Sequence, residues 1–549
     1  MPEKLDEIGC VHETDVLVLG GGASGCGAAL ASREAGLRTL IVDKGKIESC
    51  GCIGGGNDHF MAVLNTSEPF DTVDDMVGFY CKPTSGYLPE TVAAWGQVIP
   101  HIIDFLTDVG VQFRKNADGS YMRTQGFGQP GSWWILIRQG QYMKPLIAKR
   151  MHDLDVDVLD RVMITRLVVE NGRLAGAMGY DVLDGTFHVI RANTAVLALG
   201  PRTTRATSNS TKNPFNAQFP PFNTGTQYVL PYEAGARLVC LDTRQIATIL
   251  PKSFGCPGMN GITGSGSHAL NAKGERFMPK YHPMNEQAPR HLFVQGLFRE
   301  QLIGNGPPFY MDMRHLPDDV RDVLEHDLMP GDKATWGDYA EQRGLDFSTK
   351  LMEVEVGDLA FEGMVDRDAR FQSTLPGLFV GTGFPSFSGA ICGGYLAGMN
   401  AAQAAAELPR PGPADARAVR EEQARVLRPL NSDGQTPYTL FERAIRQVMD
   451  YYMGYVRNEQ GMRQALASLK LVADLAGDLH ARNWHELMRT HEALDLLKMC
   501  KLVTLASLER KETSANTIYM RTDYPGPDPS MNRLLAVEKI DGEPRLRWL

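Results

Sequence analysis

Thr14-Asp15-Val16-Leu17-Val18-Leu19 is a short apolar run with no polar alternation, the pattern of a strand covered on both faces. Residues Ala23 to Ala35 change to helical character, Gly36 stops that helix, and Thr39-Leu40-Ile41-Val42-Asp43 predicts a second buried strand. Strand, helix and strand in this order make a βαβ unit. From Val158 to Ala198 the pattern predicts a β-meander with turns at Glu170-Asn171-Gly172 and Leu183-Asp184-Gly185, followed by a buried strand over Thr194 to Leu199 that ends on Gly200. Between about Phe222 and Asp358 the periodicity breaks into short mixed elements rich in Gly, Pro, His and Met, which reads as an inserted domain. A strand returns near Leu378-Phe379-Val380, then a glycine-rich turn and an Ala-rich helix over Tyr395 to Glu407. Pro409 to Pro413 reads as a linker, and Ala414 to about Leu508 is helical. The tail after Tyr524 is polar and Pro-rich and is expected to pack on the body or on a partner.

Length and composition narrow the class. A chain of 549 residues exceeds one compact core and predicts two to four domains. With 43% hydrophobic and 22% charged residues it reads as a folded cytoplasmic protein. A net charge of −9 without a basic run argues against nucleic acid as a partner. The nine dispersed cysteines read as reduced thiols, and their spacing gives no metal site and no iron–sulfur cluster. An iron–sulfur centre, if electrons pass through one, must then sit on another subunit. The segment Met1 to Glu13 has no apolar core of a signal peptide, and no apolar stretch is long enough to span a bilayer.

Gly20-Gly21-Gly22-Ala23-Ser24-Gly25 fits G-x-G-x-x-G between the first strand and its helix. Gly20 allows the tight turn, Gly22 lets the backbone approach a pyrophosphate, and Gly25 lets helix and strand pack closely. Asp43 ends the second strand roughly 20 residues on, where a carboxylate accepts from a ribose hydroxyl. The alternative is a glycine-rich turn with no ligand, but strand, turn, helix, strand and acid all occur in order. A nicotinamide enzyme would continue as alternating βα units. This chain turns to a second glycine stretch, Gly54-Gly55-Gly56-Asn57, and to a distant third at Gly393-Gly394-Tyr395-Leu396. That arrangement suits FAD, whose ring must be gripped far from its adenine. The third stretch is expected to point a helix N-terminus at the ring, where positive dipole charge favours reduced flavin.

Further residues carry a family resemblance. Gly274-Glu275-Arg276-Phe277-Met278, Ala288-Pro289-Arg290, Pro376-Gly377-Leu378-Phe379, Arg510-Lys511-Glu512-Thr513-Ser514 and Arg521-Thr522-Asp523-Tyr524-Pro525 resemble the fumarate reductase/succinate dehydrogenase flavoprotein superfamily. Ser132-Trp133-Trp134-Ile135-Leu136-Ile137, Gly140-Gln141-Tyr142-Met143-Lys144-Pro145 and Phe222-Asn223-Thr224-Gly225-Thr226 are closer to its adenylylsulfate reductase alpha subunits. The resemblance implies FAD, a cap over the flavin, a helical domain and a ferredoxin-like iron–sulfur partner subunit, in a homo- or hetero-oligomer. Ser49-Cys50-Gly51-Cys52-Ile53 lacks the histidine that bonds the flavin in covalent members, so non-covalent FAD is expected. Ser388 to Gly394 lacks the arginine that clamps a dicarboxylate, which disfavours succinate and fumarate. Gly383 stands where an acidic residue often grips the ribityl chain.

The expected fold is α/β: a Rossmann-like FAD-binding domain in two parts (1–221 and 358–410), an inserted α+β capping domain (222–357), and a helical domain with its tail (411–549). The expected cofactor set is Gly20, Gly22, Ala23, Ser24, Gly25, Asp43, Lys44, Gly55, Gly56, Asn57, Val162, Gly200, Thr226, Gly383, Leu396 and Ala397. The resemblance implies that Arg290 is the superfamily's active-site arginine, a proton donor or an anion clamp that neutralises charge on the substrate, with a cap salt bridge as the alternative. His59 is a candidate proton carrier, with a packed histidine as the alternative. Trp134 and His268 are candidates for substrate contact; neighbouring Trp133 and Trp134 point to opposite faces of a strand, so at most one of them faces a site. His282 and His291 also lie in the cap. Cys50 and Cys52 read as two buried thiols rather than a redox pair. The function expected is a FAD-dependent oxidoreductase acting on a small molecule, either an oxidised sulfur compound or an activated alkene. The alternatives are a free-standing reductase or dehydrogenase that uses NAD(P)H or oxygen on an enone, and a flavin electron-relay subunit.

Overall fold

The computed structural model describes residues 8–549 except 127, 218, 247 and 256–258, so Cys256 and the first seven residues lie outside the described residues. Strand β1 (Cys10–Leu19), helix α1 (Ala23–Glu34) and strand β2 (Thr39–Asp43) form the βαβ unit. Val16 to Leu19 are fully buried, as a strand covered on both faces requires. The strands β3 (Asp157–Asp160), β4 (Val162–Glu170), β5 (Arg173–Asp181) and β6 (Phe187–Leu197) extend the same sheet in the order β3-β2-β1-β6-β5-β4.

The last strand of the meander and the buried strand after it are one element. β6 runs antiparallel to β5 over Phe187–Arg191 and parallel to β1 along its whole length. Asn193 and Thr194 suggest a break in the sequence, but their side chains donate to the carbonyls of Ala405 (2.9 Å) and Ala401 (3.1 Å). Bonded in this way, both polar groups stay in a strand interior.

The cap carries its own antiparallel sheet of β7 (Ile249–Pro251), β8 (His268–Leu270), β9 (Phe309–Asp312) and β10 (Met352–Val356), in the order β7-β10-β9-β8. Helix α2 (Arg290–Leu302) lends Phe293 and Leu297 to its core beside Phe277, Met311, Trp336 and Met352. The helix Thr226–Glu233 and the strand Leu238–Val239 fall inside the span expected for the cap. They belong to the other side: Leu238–Val239 pairs with Met364–Val365 and with the C-terminal tail, and Tyr228 and Leu230 join the main core.

Strand β11 (Leu378–Val380) returns to the first sheet and pairs in parallel with β6. Helix α3 follows over Ser386–Glu407 and starts nine residues before the expected Tyr395. A Cβ on Gly394 would stand 1.9 Å from the Ser24 carbonyl oxygen, one on Gly398 2.4 Å from that of Ala28, and one on Gly27 2.1 Å from that of Ile391. The glycines let α1 and α3 touch backbone to backbone; they do not form a turn. Helices α4 (Tyr438–Tyr452), α5 (Glu459–Asp474) and α6 (Trp484–Glu509) pack on the main core through Phe441, Met449, Met462, Leu469, Leu496 and Val503. The tail forms the hairpin β12 (Leu535–Ile540) and β13 (Glu543–Trp548), which docks on Leu238–Val239 and so packs on the body. Among the described residues no helix is long and apolar enough to cross a membrane.

Candidate active site

Parallel pairing brings four of the expected cofactor residues, Gly20, Asp43, Gly200 and Gly383, to one edge. Gly20 N–H donates to the Val42 carbonyl (2.8 Å), Ala198 N–H to that of Leu19 (2.8 Å) and Gly381 N–H to that of Leu197 (3.1 Å). Gly20, Asp43, Gly200 and Gly383 therefore all lie at the carboxyl ends of the strands, where ligands of open α/β sheets bind. Gly20 has a φ of +103°, and a Cβ there would meet the Ala198 carbonyl oxygen at 2.4 Å. Gly25 is equally confined, with a Cβ position 1.8 Å from the Gly20 oxygen. Gly22 caps α1 without any side-chain bond, which leaves the first-turn amides free for a phosphate. Ser24 Oγ is buried with no partner among the described residues. Ala23, beside it, is buried. Asp43 accepts from Gly21 N–H (2.8 Å) and Gly45 N–H (2.7 Å), and each oxygen keeps a lone pair for a ribose hydroxyl.

The second glycine stretch lies on the first: a Cβ on Gly51 would stand 2.8 Å from the Gly22 Cα. Gly55 faces open space, while Gly56, with φ +122°, is pressed against the Gly331 carbonyl. Asn57 donates through its side chain to the His59 carbonyl, and its own carbonyl meets Gly140. Gly200 has a φ of +89° beside the Asn223 amide, and Val162 opens β4 opposite Asp181. Lys44 Nζ donates to Glu492 (2.5 Å) and to the Phe222 carbonyl, and Thr226 Oγ1 donates to Asp495 (2.6 Å). Burial alone would raise Glu492, but Lys44, Arg205 and Arg489 outweigh it and hold the carboxyl at about 2. Asp495, one turn along α6, goes the other way: burial pushes it up to about 6 against the Thr226 bond and Lys44. The unpaired hydroxyl, the uncapped helix end and the glycine-lined turns fit FAD.

Leu396 and Ala397 do not lie at the helix N-terminus expected there. Both are buried inside α3, nearly three turns from its N-terminus at Ser386, and their amides belong to the helix.

Where the cap meets this edge, charged side chains converge. Arg290 is the first residue of α2, after Pro289 at its cap position. Burial, then neighbouring Arg202, lowers it to about 10, and Asp332 opposes them. Arg202, two residues beyond Gly200, pairs with Glu362 and is likewise lowered to about 10 by burial. Arg244 stands 3.9 Å from Glu362 and bonds the Gly383 carbonyl, which also accepts from Tyr87 (2.8 Å). Cys50 is half-buried and Cys52 exposed, against the expectation of two buried thiols, although protein crowds the Cys52 sulfur. Burial raises its thiol, with Arg202 opposing and Asp332 assisting. The sequence reading missed Arg202, Arg244, Glu362 and Arg367; only the place of Arg202 directly after the Gly200 strand end offered a signal.

His59 and Trp134 come together: the rings stack at 4.2 Å, and His59 Nδ1 lies 2.5 Å from Asp58 Oδ1. Trp133 points the other way, fully buried, and donates to the Phe70 carbonyl (2.6 Å). His268 is placed elsewhere, stacked at 4.0 Å on the exposed His315 at the cap surface. Burial lowers it, and the charges acting on it are Arg276, His315, Glu286 and Asp312, none of them in the group around Arg290. His291 follows Arg290 on α2; burial drives it down to about 4, and its Nε2 has no partner among the described residues.

Residues 15–379 match the family described as FAD binding domain, and residues 442–547 match Fumarate reductase flavoprotein C-term. A fumarate reductase (CoM/CoB) subunit of Methanothermobacter marburgensis is 26% identical, over 96% of this chain and 98% of its own. The alpha subunit of adenylylsulfate reductase from Megalodesulfovibrio gigas is 24% identical, over 55% of this chain and 50% of its own. Among solved structures, adenylylsulfate reductase from Archaeoglobus fulgidus has a TM-score of 0.86 at 23% identity, over 100% of this chain and 97% of that one. The E. coli quinol fumarate reductase has a TM-score of 0.82 at 18% identity, over 98% and 97%. These two likenesses establish the fold.

Proposed function

The chain belongs to the FAD-binding-domain family and is an FAD-dependent oxidoreductase, and from that premise we propose that it exchanges electrons between flavin and a small anionic substrate held beneath the cap by Arg290 and Arg202. One observation carries the reading: Arg202, Arg244 and Arg290 gather where cap and sheet edge meet, with the carboxylates of Glu362 and Asp332 beside them. Such an excess of fixed positive charge in a desolvated recess favours an anion and stabilises charge that develops on it. The names of two relatives, a fumarate reductase and an adenylylsulfate reductase, both denote anionic substrates. The arginine missing from the Ser388–Gly394 segment is replaced in charge by Arg202 and Arg244 from other elements.

FAD, when bound, supplies the two-electron chemistry. Ser24, the α1 N-terminus and Asp43 hold its phosphates and ribose. Arg290 keeps its charge at neutral pH, since even at about 10 it stays protonated there. The Cys52 thiol, raised by burial, stays protonated near Arg202. Electrons reach or leave the flavin through a ferredoxin-like iron–sulfur subunit; the Methanothermobacter relative is itself named as one subunit of its enzyme. FAD is held without a covalent bond, because Ser49 to Ile53 offers no histidine; precipitating the protein with acid is expected to release all the flavin to the supernatant, and yellow pellets would refute this.

Arg290→Ala tests the central claim. Losing one charge-stabilising donor of this kind costs roughly 10²- to 10³-fold in rate. Anaerobically reduced protein, mixed with fumarate or adenylylsulfate, is followed by the return of oxidised-flavin absorption. The variant should retain FAD and lose at least about a hundredfold in that rate. An unchanged rate with the substrate that oxidises the parent removes Arg290 from the site.

A further inference from the structure

Arg367 is a buried cation without a counter-ion. It lies between Met364–Val365 and β11 at 7% exposure, and no carboxylate pairs with it among the described residues. Nη1 donates to the carbonyls of Val380 (2.8 Å) and Thr382 (2.9 Å). Nη2 has no partner among the described residues and stands 3.7 Å from the point where a side chain on Gly383 would begin. The rings of Phe371 and Phe384 lie 4.4 Å and 4.7 Å from the guanidinium.

The neighbouring backbone is held in one sense. Arg367 takes the Val380 and Thr382 carbonyls, and Arg244 and Tyr87 take that of Gly383. In a planar trans peptide the following N–H points opposite to its carbonyl, so the amides of Gly383 and Phe384 turn away from the arginines. Taking a guanidinium out of water without a partner is costly, and such a charge persists where a ligand compensates it. Burial already pushes Arg367 down to about 9, with Arg244 adding to that and Tyr87 opposing it.

We propose that Arg367, acting across Gly383, is a positioning residue that supplies the positive charge favouring the anionic, two-electron-reduced flavin over the oxidised form. The pyrophosphate already has Ser24 and the α1 amides, which lie at Gly381 rather than Gly383. Around Arg367 the neighbours are Tyr87, Met364, Phe371 and Phe384, surroundings suited to a flat ring rather than a phosphate. The inference rests on FAD in this site and is independent of the substrate.

The test measures the flavin midpoint potential and the FAD affinity of the holoprotein and of Arg367→Gln and Arg367→Lys. In the Gln variant the preference for reduced over oxidised FAD should fall at least about tenfold, which is about 30 mV for a two-electron couple. Oxidised FAD should still bind, and Lys should restore most of the potential by restoring charge. An equal loss of affinity for both redox forms would assign Arg367 to the pyrophosphate and overturn the proposal. An unchanged potential would reduce it to a carbonyl clamp. Should the Gln variant not fold, the unaltered protein decides: an anionic reduced-flavin spectrum at pH 7 supports the proposal, and a neutral one overturns it.

Discussion

Glu492 and Asp495 lie one turn apart on α6, yet their carboxyls are pushed in opposite directions, to about 2 and to about 6. The cause is in their partners. Glu492 is ringed by Lys44, Arg205 and Arg489, whereas Asp495 is half-buried with a hydroxyl, Thr226, as its bonded neighbour. For Glu492 the stabilisation is complete above its ordinary 4.5 and fades as pH falls toward 2. For Asp495 the folded state binds the proton more tightly than the unfolded chain, whose carboxyl titrates near 3.8. Stability is therefore lost as pH rises from about 4 to about 6. Asp495→Asn keeps an acceptor for Thr226 and removes the charge. It should unfold at higher urea than the parent at pH 7.5, by on the order of 2 kcal/mol, with the difference gone by pH 4. A difference that does not vary with pH would mean that Asp495 is already solvated. None of this was legible along the chain, because Lys44, Arg205 and Thr226 reach α6 only through the fold.

At the scale of elements, the glycines of α3 decide how closely two helices approach. A methyl on Gly394 would run into the Ser24 carbonyl, which belongs to backbone and cannot swing away. Gly394→Ala should therefore cost about 1–3 kcal/mol and weaken FAD binding by moving the N-terminus of α1. Gly337→Ala, in a helix with nothing near its Cβ position, should be neutral or slightly stabilising. Thermal unfolding of the two variants, with FAD titration, checks the contrast; equal effects would mean that the α1–α3 contact is not tight. The same glycines explain where sequence reading succeeded and failed. β1, α1 and β2 were legible because apolar runs and Gly36 obey local rules. Gly393-Gly394 was misread as a turn, since glycine for a sharp bend and glycine for close packing look alike without the partner helix. Asn193 and Thr194 hid the continuity of β6 in the same way, as their acceptors lie more than 200 residues away. His268 lies away from Arg290, since residue type alone cannot tell a cap surface from a cap mouth, and no local rule separates Trp134 from Trp133.

At the scale of the whole molecule, a buried ionic knot ties the C-terminal end to the body. Arg510, where α6 ends, is fully buried and pairs with Asp242 (2.6 Å) and Glu512 (3.2 Å). It also donates to the carbonyls of Met531 and Arg533, and its guanidinium faces the Trp548 ring at 4.9 Å. One side chain thus joins the helical domain, the segment following Leu238–Val239, and the tail whose hairpin completes that small sheet. Burial raises Asp242, and Arg510 is the main force opposing it. Removing the arginine leaves Asp242 buried and facing no cation of comparable closeness, a loss of about 3–5 kcal/mol. Arg510→Met should therefore lower stability by about that amount. Adding Asp242→Asn should recover part of it, because the stranded charge goes with the second substitution. The measurement is urea unfolding followed by both flavin fluorescence and far-UV circular dichroism. If the knot holds the units together, the two probes should separate in the single variant, the tail and helical domain loosening before flavin release. Coincident transitions, with the single variant within about 1 kcal/mol of the parent, would show instead that the hairpin is held by Leu535, Ala536 and Val537 alone.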